Sequence, residues 1–123
     1  MKRPFAYICS PFQGDEAHNT EKAREYCRKA YEAGFTPICP HLLFPQFLDE
    51  SIPEERKAGM EMANALLRRC HVLLVCGNTV SEGMMCEILY AHRLNLPATT
   101  LDGVLMVKAR RGQPQAEKEA AGQ

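Results

Sequence analysis

Short apolar runs alternate along this chain with longer stretches in which apolar residues recur every three or four positions. The first run, Phe5 to Cys9, is closed by Ser10-Pro11 and reads as a central strand. A polar turn, Ser10 to Asp15, leads to a helix from about Asn19 to Ala33, with Ala23, Tyr26, Cys27, Ala30 and Tyr31 on its apolar face and Gly34 as its stop. Phe35 to Cys39 is a second strand. Its Pro37 removes a ladder donor, which favours an edge position or a strand start. Pro40 to Ile52 is a long loop, unusually apolar, carrying Leu42, Leu43, Phe44, Phe47 and Leu48. Ser51 to Glu54 has capping-box spacing and opens a helix to about Arg69, with Met60, Ala63, Leu66, Leu67 and Cys70 expected inward. The strand Val72 to Cys76 follows, then a helix from Ser81 to about Leu94, stopped at Asn95. Pro97 to Leu101 reads as a fourth strand and Val104 to Val107 as an edge strand or docking segment.

Strands alternating with helices of about four turns predict a single α/β domain of flavodoxin-like, Rossmann-like type, three layers deep, with four or five mostly parallel strands. The domain is expected over residues 1–107. Residues 108–123, with no apolar periodicity, are expected to form a flexible or weakly helical tail.

The stretch richest in signal is Cys70 to Ala91. A buried apolar run, the turn Gly77-Asn78-Thr79 and a helix start at Ser81 make the order typical of the ligand-facing edge of an open α/β sheet. Ser81 can cap the helix, and Glu82 suits the positive end of its dipole. Gly83, Glu87 and Ala91 are spaced by four and share one face, so the Glu87 carboxylate is flanked by two residues with almost no side chain. The plain alternative is a solvated glutamate on a surface helix.

Composition narrows the function classes. The 123 residues suit one domain, and 46% hydrophobic content suffices for a core. Fifteen basic residues balance fifteen acidic ones, without the basic excess of a nucleic-acid-binding module. No apolar run is long enough to span a bilayer, and the start of the chain reads as a strand rather than a signal peptide. The six cysteines, Cys9, Cys27, Cys39, Cys70, Cys76 and Cys86, lack the two-residue spacing of zinc or redox motifs and are expected to be reduced thiols in a cytoplasmic protein. Cys39 and His41 with distant partners are the remaining zinc alternative.

In a parallel sheet the strand C-termini line one crevice. Three segments reach it: Cys9 to Asp15, Cys39 to Phe47 and Cys76 to Glu87. The first, CSPFQGD, offers backbone N–H groups to a phosphate or a sugar hydroxyl. It lacks the Gly-Lys-Ser/Thr ending of a Walker A loop, and the GxGxxG fingerprint is absent as well, so neither ATP nor NAD is implied. A Cys–His nucleophile pair with His41 or His71 as base is conceivable. His71, however, lies at a strand start, at the opposite end from the crevice, and reads as structural. His18 stands at the mouth of the first helix, where it could touch an anion or simply face water.

The run Ser81-Glu82-Gly83-Met84-Met85-Cys86-Glu87, with Ala91 four residues on, resembles the SxGxxxE…A signature of the nucleoside 2-deoxyribosyltransferase-like superfamily. The opening Tyr7-Ile8-Cys9-Ser10-Pro11 is similar to that superfamily's first strand and loop, and the order of elements matches from about Phe5 to Leu101. Within it, the likeness is to small uncharacterised bacterial and phage domains. The resemblance implies that Glu87 attacks the anomeric carbon of a 2-deoxyribonucleoside or its 5′-monophosphate, that a covalent deoxyribosyl-enzyme forms, and that another base or water then takes the sugar. It implies that Ser81 holds the 5′ end and that Tyr7 lines the site. Ser10, Pro11, Gly14 and Gly83 are expected to shape the sugar and 5′ pocket.

The chain departs from the family pattern at the acid that protonates the leaving base. The family's aspartate falls near Ala63, and a second is replaced by His71. Glu61 is the nearest carboxylate in sequence, and Asp49 is the other candidate. The expected activity is therefore deoxyribosyl transfer or N-glycoside hydrolysis with Glu87, Tyr7 and Glu61 as catalytic residues, without metal or organic cofactor. The alternative is a catalytically weak protein holding a nucleotide or an ADP-ribose-like molecule in the same crevice. A third possibility is an interaction protein that keeps only the fold. The expected partners are a nucleoside or nucleotide and further copies of the chain, as a homodimer or larger homo-oligomer, with the loop Pro40 to Ile52 at the shared surface or folded as a lid.

Overall fold

The computed structural model describes residues 2–111. Four parallel strands form one sheet in the order β2-β1-β3-β4: β1 Phe5–Cys9, β2 Thr36–Ile38, β3 Val72–Val75 and β4 Ala98–Thr100. Four α-helices, α1 Glu16–Glu32, α2 Pro53–Leu67, α3 Glu82–Arg93 and α4 Leu101–Arg111, complete the domain. The flavodoxin-like α/β expectation holds, with β1 inside the sheet and the proline-bearing β2 at its edge.

Alternation along the strands divides the core in two. Tyr7, Cys9 and Leu73 point to one face, where they pack with Leu67 of α2, Cys70, and Met84 and Ala91 of α3. Ala6, Ile8 and Leu74 point to the other, against Ala30 of α1, Cys76 and Leu101 of α4. Because side chains in a strand have period two, this division follows once β1 and β3 are buried on both sides.

Several boundaries differ from the sequence reading. Helix α1 begins three residues earlier, because the Asp15 carboxylate accepts the His18 N–H at 3.2 Å and caps it. The capping box at Ser51 does not form. Ile52 stands at the N-cap of α2 without a side-chain bond, while the Ser51 hydroxyl donates to Asp49 at 2.6 Å and Glu55 accepts the Asp49 N–H at 2.8 Å. Met60 is 59% exposed rather than inward, and Tyr31 lies on the surface beneath the guanidinium groups of Arg3 and Arg28. The apolar run Val104 to Val107 is helical, not a strand: it belongs to α4, and Val104 and Leu105 pack on the α1 side of the sheet. A period-two reading of four residues could not see that Leu101, Val104 and Leu105 share a helical face. The first part of the expected tail, Lys108 to Arg111, continues α4. The rest of it lies outside the described residues.

Pro40 to Ile52 holds two short 3₁₀ turns, Pro40–Leu42 and Phe44–Gln46. Pro40 is buried, Leu42, Phe44 and Leu48 are half-buried, and Leu43 and Phe47 remain 52% and 62% exposed. Among the described residues no helix is long and apolar enough to cross a membrane.

Candidate functional site

From β1 the chain crosses to β2 on one side, and from there to β3 on the other side of β1. That reversal of winding opens a crevice at the C-terminal ends of β1 and β3, where ligands bind in open α/β sheets. β3 ends in the turn Cys76-Gly77, with Gly77 at φ +90° and the Tyr26 hydroxyl only 3.0 Å from where a Cβ would stand. This tight turn leads the chain to α3. Ser81 caps α3 by accepting the Met84 N–H at 3.2 Å, while its own N–H faces the Met84 sulfur at 3.5 Å. Met84 thereby fills the core, and the next turn of α3 carries Glu87 back over β1.

Glu87 meets β1 through Tyr7, whose hydroxyl donates to Glu87 Oε2 in a short hydrogen bond. Cys9, two residues on and on the same strand face, lies beside the pair and donates its thiol to the Met84 carbonyl at 3.7 Å. Burial pushes the Glu87 carboxyl up to about 7, against the opposing pull of the Tyr7 hydroxyl and the Cys9 thiol, which both favour the anion. Tyr7 and Cys9 are themselves pushed well above their ordinary values, first by burial and then by the neighbouring Glu87 charge, so they stay protonated donors.

Among the described residues, two buried polar side-chain atoms have no hydrogen-bond partner: Glu87 Oε1 and Ser10 Oγ. Ser10 is only 1% exposed. A buried unpaired oxygen costs roughly 1–3 kcal/mol, and here two occur at one strand end. Such a pair is what a polar ligand would satisfy.

Tyr7 and Glu87 therefore come together, and Ser10 directly follows the end of β1. Ser81 and Gly83 sit two turns or less away at the exposed start of the same helix, and a Cβ on Gly83 would meet nothing within 4 Å. Pro11, half-buried, and Gly14, at φ +101° and equally open, belong to the loop that leaves β1. Ala91 does not border open space as its spacing suggested, because it is fully buried against the core. Glu61 is not brought to Glu87. It is exposed on α2 and lines a shallow surface concavity of about 440 Å³ with Glu50, Arg56, Lys57, Met60 and Asn64. Asp49 is bound up with Ser51 in the apolar loop, which holds its carboxyl below the usual range. His71 is structural: its Nδ1 accepts the Phe5 N–H at 2.9 Å, and its backbone N–H donates to the Phe5 carbonyl at 2.8 Å.

The sequence reading raised His41 only as a possible base or zinc ligand, and it passed over Cys9 and Phe12 at this edge. Cys9 was legible from alternation with Tyr7. The pairing of Phe12 with His41 was not, since they meet only in the fold: their rings stack at 5.1 Å and 17°. His41 is half-buried, and burial lowers its proton affinity. The six cysteines are free thiols, and the described residues contain no cluster of three or more His, Cys, Asp or Glu able to hold a metal.

The chain is an open, all-parallel α/β domain with a buried, half-satisfied carboxyl packed on its central strand. Residues 4–101 match the model of a family described as a domain of unknown function, DUF7768, and the chain belongs to that family. No curated protein matches it. Among solved structures, the chain is similar to a 2-deoxyribosyltransferase from the psychrotolerant bacterium Bacillus psychrosaccharolyticus, with a TM-score of 0.59 and 18% identity over 76% of this chain and 69% of that one. The likeness establishes a shared fold.

Proposed function

We propose that the protein cleaves the N-glycosidic bond of a 2-deoxyribonucleoside or its 5′-monophosphate, passing the sugar to another base or to water. The observation that carries this reading is the Tyr7–Glu87 pair with Glu87 Oε1 unpartnered. Tyr7 holds one carboxylate oxygen, and the free one is left to bond carbon. A carboxylate there stabilises an oxocarbenium-like transition state and closes on the anomeric carbon to form a glycosyl ester. Burial raises the energy of the ionised carboxylate, and bond formation with carbon removes that charge. Ser10 Oγ is free to meet a sugar hydroxyl, and Pro11, Gly14, Ser81 and Gly83 leave room for the sugar and its 5′ end.

The shared fold with a 2-deoxyribosyltransferase supports a nucleoside as ligand. Leu43 and Phe47, exposed beside the crevice-side loop, support self-association through that loop. Light scattering at micromolar concentration tests this second point: a monomer would leave the loop as a lid. One observation favours an inert binder instead, namely that no second carboxylate contributes to the environment of Glu87. Incubation with 2′-deoxyadenosine and free cytosine separates the two. Exchange or release of adenine that disappears in Glu87→Ala supports the enzyme, whereas a ligand-induced rise in melting temperature without turnover supports the binder.

A further inference from the structure

We infer that Cys9 is a positioning residue for Glu87: with Tyr7 it makes the second of two points at which β1 holds α3, and so fixes where the carboxylate stands. The inference rests on the reading of Glu87 as the nucleophile and adds how that nucleophile is held in place. A carboxylate that must close on a carbon atom depends on its setting, since a misplacement of about 1 Å can cost roughly 100-fold in rate. A helix resting on a strand through one polar contact can still turn about it. A second contact in register removes that freedom.

Three observations give Cys9 this role. Tyr7 and Cys9 alternate with Ala6 and Ile8, so both face α3, and both are buried. The Cys9 thiol donates to the Met84 carbonyl at 3.7 Å while the Tyr7 hydroxyl donates to Glu87. Met84 and Glu87 are three residues apart and share one helical face. The pairing runs in opposite directions along the two elements, Tyr7 to Cys9 and Glu87 to Met84, as a helix that joins the parallel strands β3 and β4 requires. The two steps are also of similar length, about 6.6 Å for two strand residues and about 4.5 Å for three helical ones. Met84 is itself fixed, because Ser81 Oγ accepts its N–H at 3.2 Å and its sulfur faces the Ser81 N–H at 3.5 Å. Its carbonyl is therefore a firm handle on the turn that carries Glu87.

A thiol suits the place. It packs as a small hydrophobe with Leu73, Met84 and Ala91 and still offers a weak donor. The titratable groups in the packing around Glu87 are Tyr7 and Cys9 of β1, Cys39 after β2, Cys70 before β3 and Tyr90 of α3. Burial raises the Glu87 carboxyl, and Tyr7 and Cys9 oppose it.

The test follows the Glu87 carboxyl directly, by carbon-13 NMR of glutamate-labelled protein with Glu87→Gln identifying its signal, beside steady-state turnover of 2′-deoxyinosine. In Cys9→Ala the carboxyl should titrate at higher pH than in the unaltered protein. Its kcat should fall by about tenfold or more while KM stays within about threefold. Cys9→Ser keeps a donor and should return both readings toward those of the unaltered protein. Cys9→Val fills the site without a donor and carries the same comparison should the alanine variant melt below the assay temperature. Either a Glu87 titration or a kcat that is unchanged in the donor-free variant overturns the inference, even where the melting temperature falls, because Cys9 is then plain packing. An equal change in Cys9→Ser overturns it as well. If the unaltered protein turns over no nucleoside, the reading of Glu87 as the nucleophile fails, and the titration alone decides whether Cys9 governs the carboxyl.

Discussion

The two ends of the sheet are built to different standards. At the N-terminal end the His71 and Arg3 side chains both find backbone partners. His71 exchanges bonds with the Phe5 backbone at 2.9 and 2.8 Å, and Arg3 donates to the carbonyls of Tyr31 and Phe35 at 3.1 and 2.7 Å, closing the end of α1. At the C-terminal end Ser10 Oγ and Glu87 Oε1 are buried and unpaired, and Glu87 holds its proton up to about 7. Both ends belong to the same short strand, but they differ in burial: Phe5 is 41% exposed, whereas Cys9 and Ser10 are buried. The satisfied end secures β1 to its neighbours; the unsatisfied end keeps polar capacity in reserve for something that is not part of the chain.

The largest expected effect breaks this comparison at the open end. Glu87→Gln should lower base exchange by a factor on the order of 10⁴ or more. The same variant should be more stable at pH 8, by roughly 1–3 kcal/mol. The sign follows from the folded value of about 7 lying above the ordinary 4.5: the folded protein binds the extra proton between those values, so stability falls as pH rises through that window and stays low above it. Denaturant titrations at pH 4 and pH 8 check this, and a variant less stable at pH 8 would contradict the burial of Glu87.

Tyr7→Phe comes next. It removes a donor that favours the ionised carboxylate, so Glu87 should titrate above 7 and the rising limb of the pH–rate profile should move to higher pH. Turnover at pH 7 should fall by about tenfold, with recovery as the pH is raised. A loss that no pH restores would give Tyr7 a different role.

His71→Ala acts at the closed end. It leaves the Phe5 N–H without its side-chain acceptor and should cost about 1–2 kcal/mol in thermal or denaturant unfolding. Turnover of the folded fraction should be unchanged, and a selective loss of activity would mean that the two ends are coupled.

The smallest effect sharpens the contrast. Ser10→Ala removes a buried hydroxyl that has no partner, so it should stabilise the empty protein by up to about 1 kcal/mol while shrinking the melting-temperature rise produced by a deoxynucleoside. Destabilisation instead would show that the hydroxyl is already satisfied.

What the sequence determined by itself was the order of strands and α-helices as far as β4, and the start of α3 after β3. Apolar runs of four or five residues and three- to four-residue periodicity are local signals. The Ser81 cap and the four-residue step to Glu87 are local as well, so the candidate nucleophile was legible before any fold was known. Boundaries failed where two local signals competed. Asp49 won the Ser51 hydroxyl that a capping box required, and four apolar residues after Leu101 carried too little period to distinguish strand from helix. Only the tertiary structure decided the rest. Whether Glu87 faced water or Tyr7 depended on α3 packing across β1, some eighty residues away in sequence by the count of the bond itself. The proton affinity of Glu87 depended on that same burial, since desolvation is a property of the surroundings and not of the residue. His41 and Phe12 share no sequence pattern. They stack because β2 and β1 lie side by side and release both loops at one edge, a proximity that strand order alone creates.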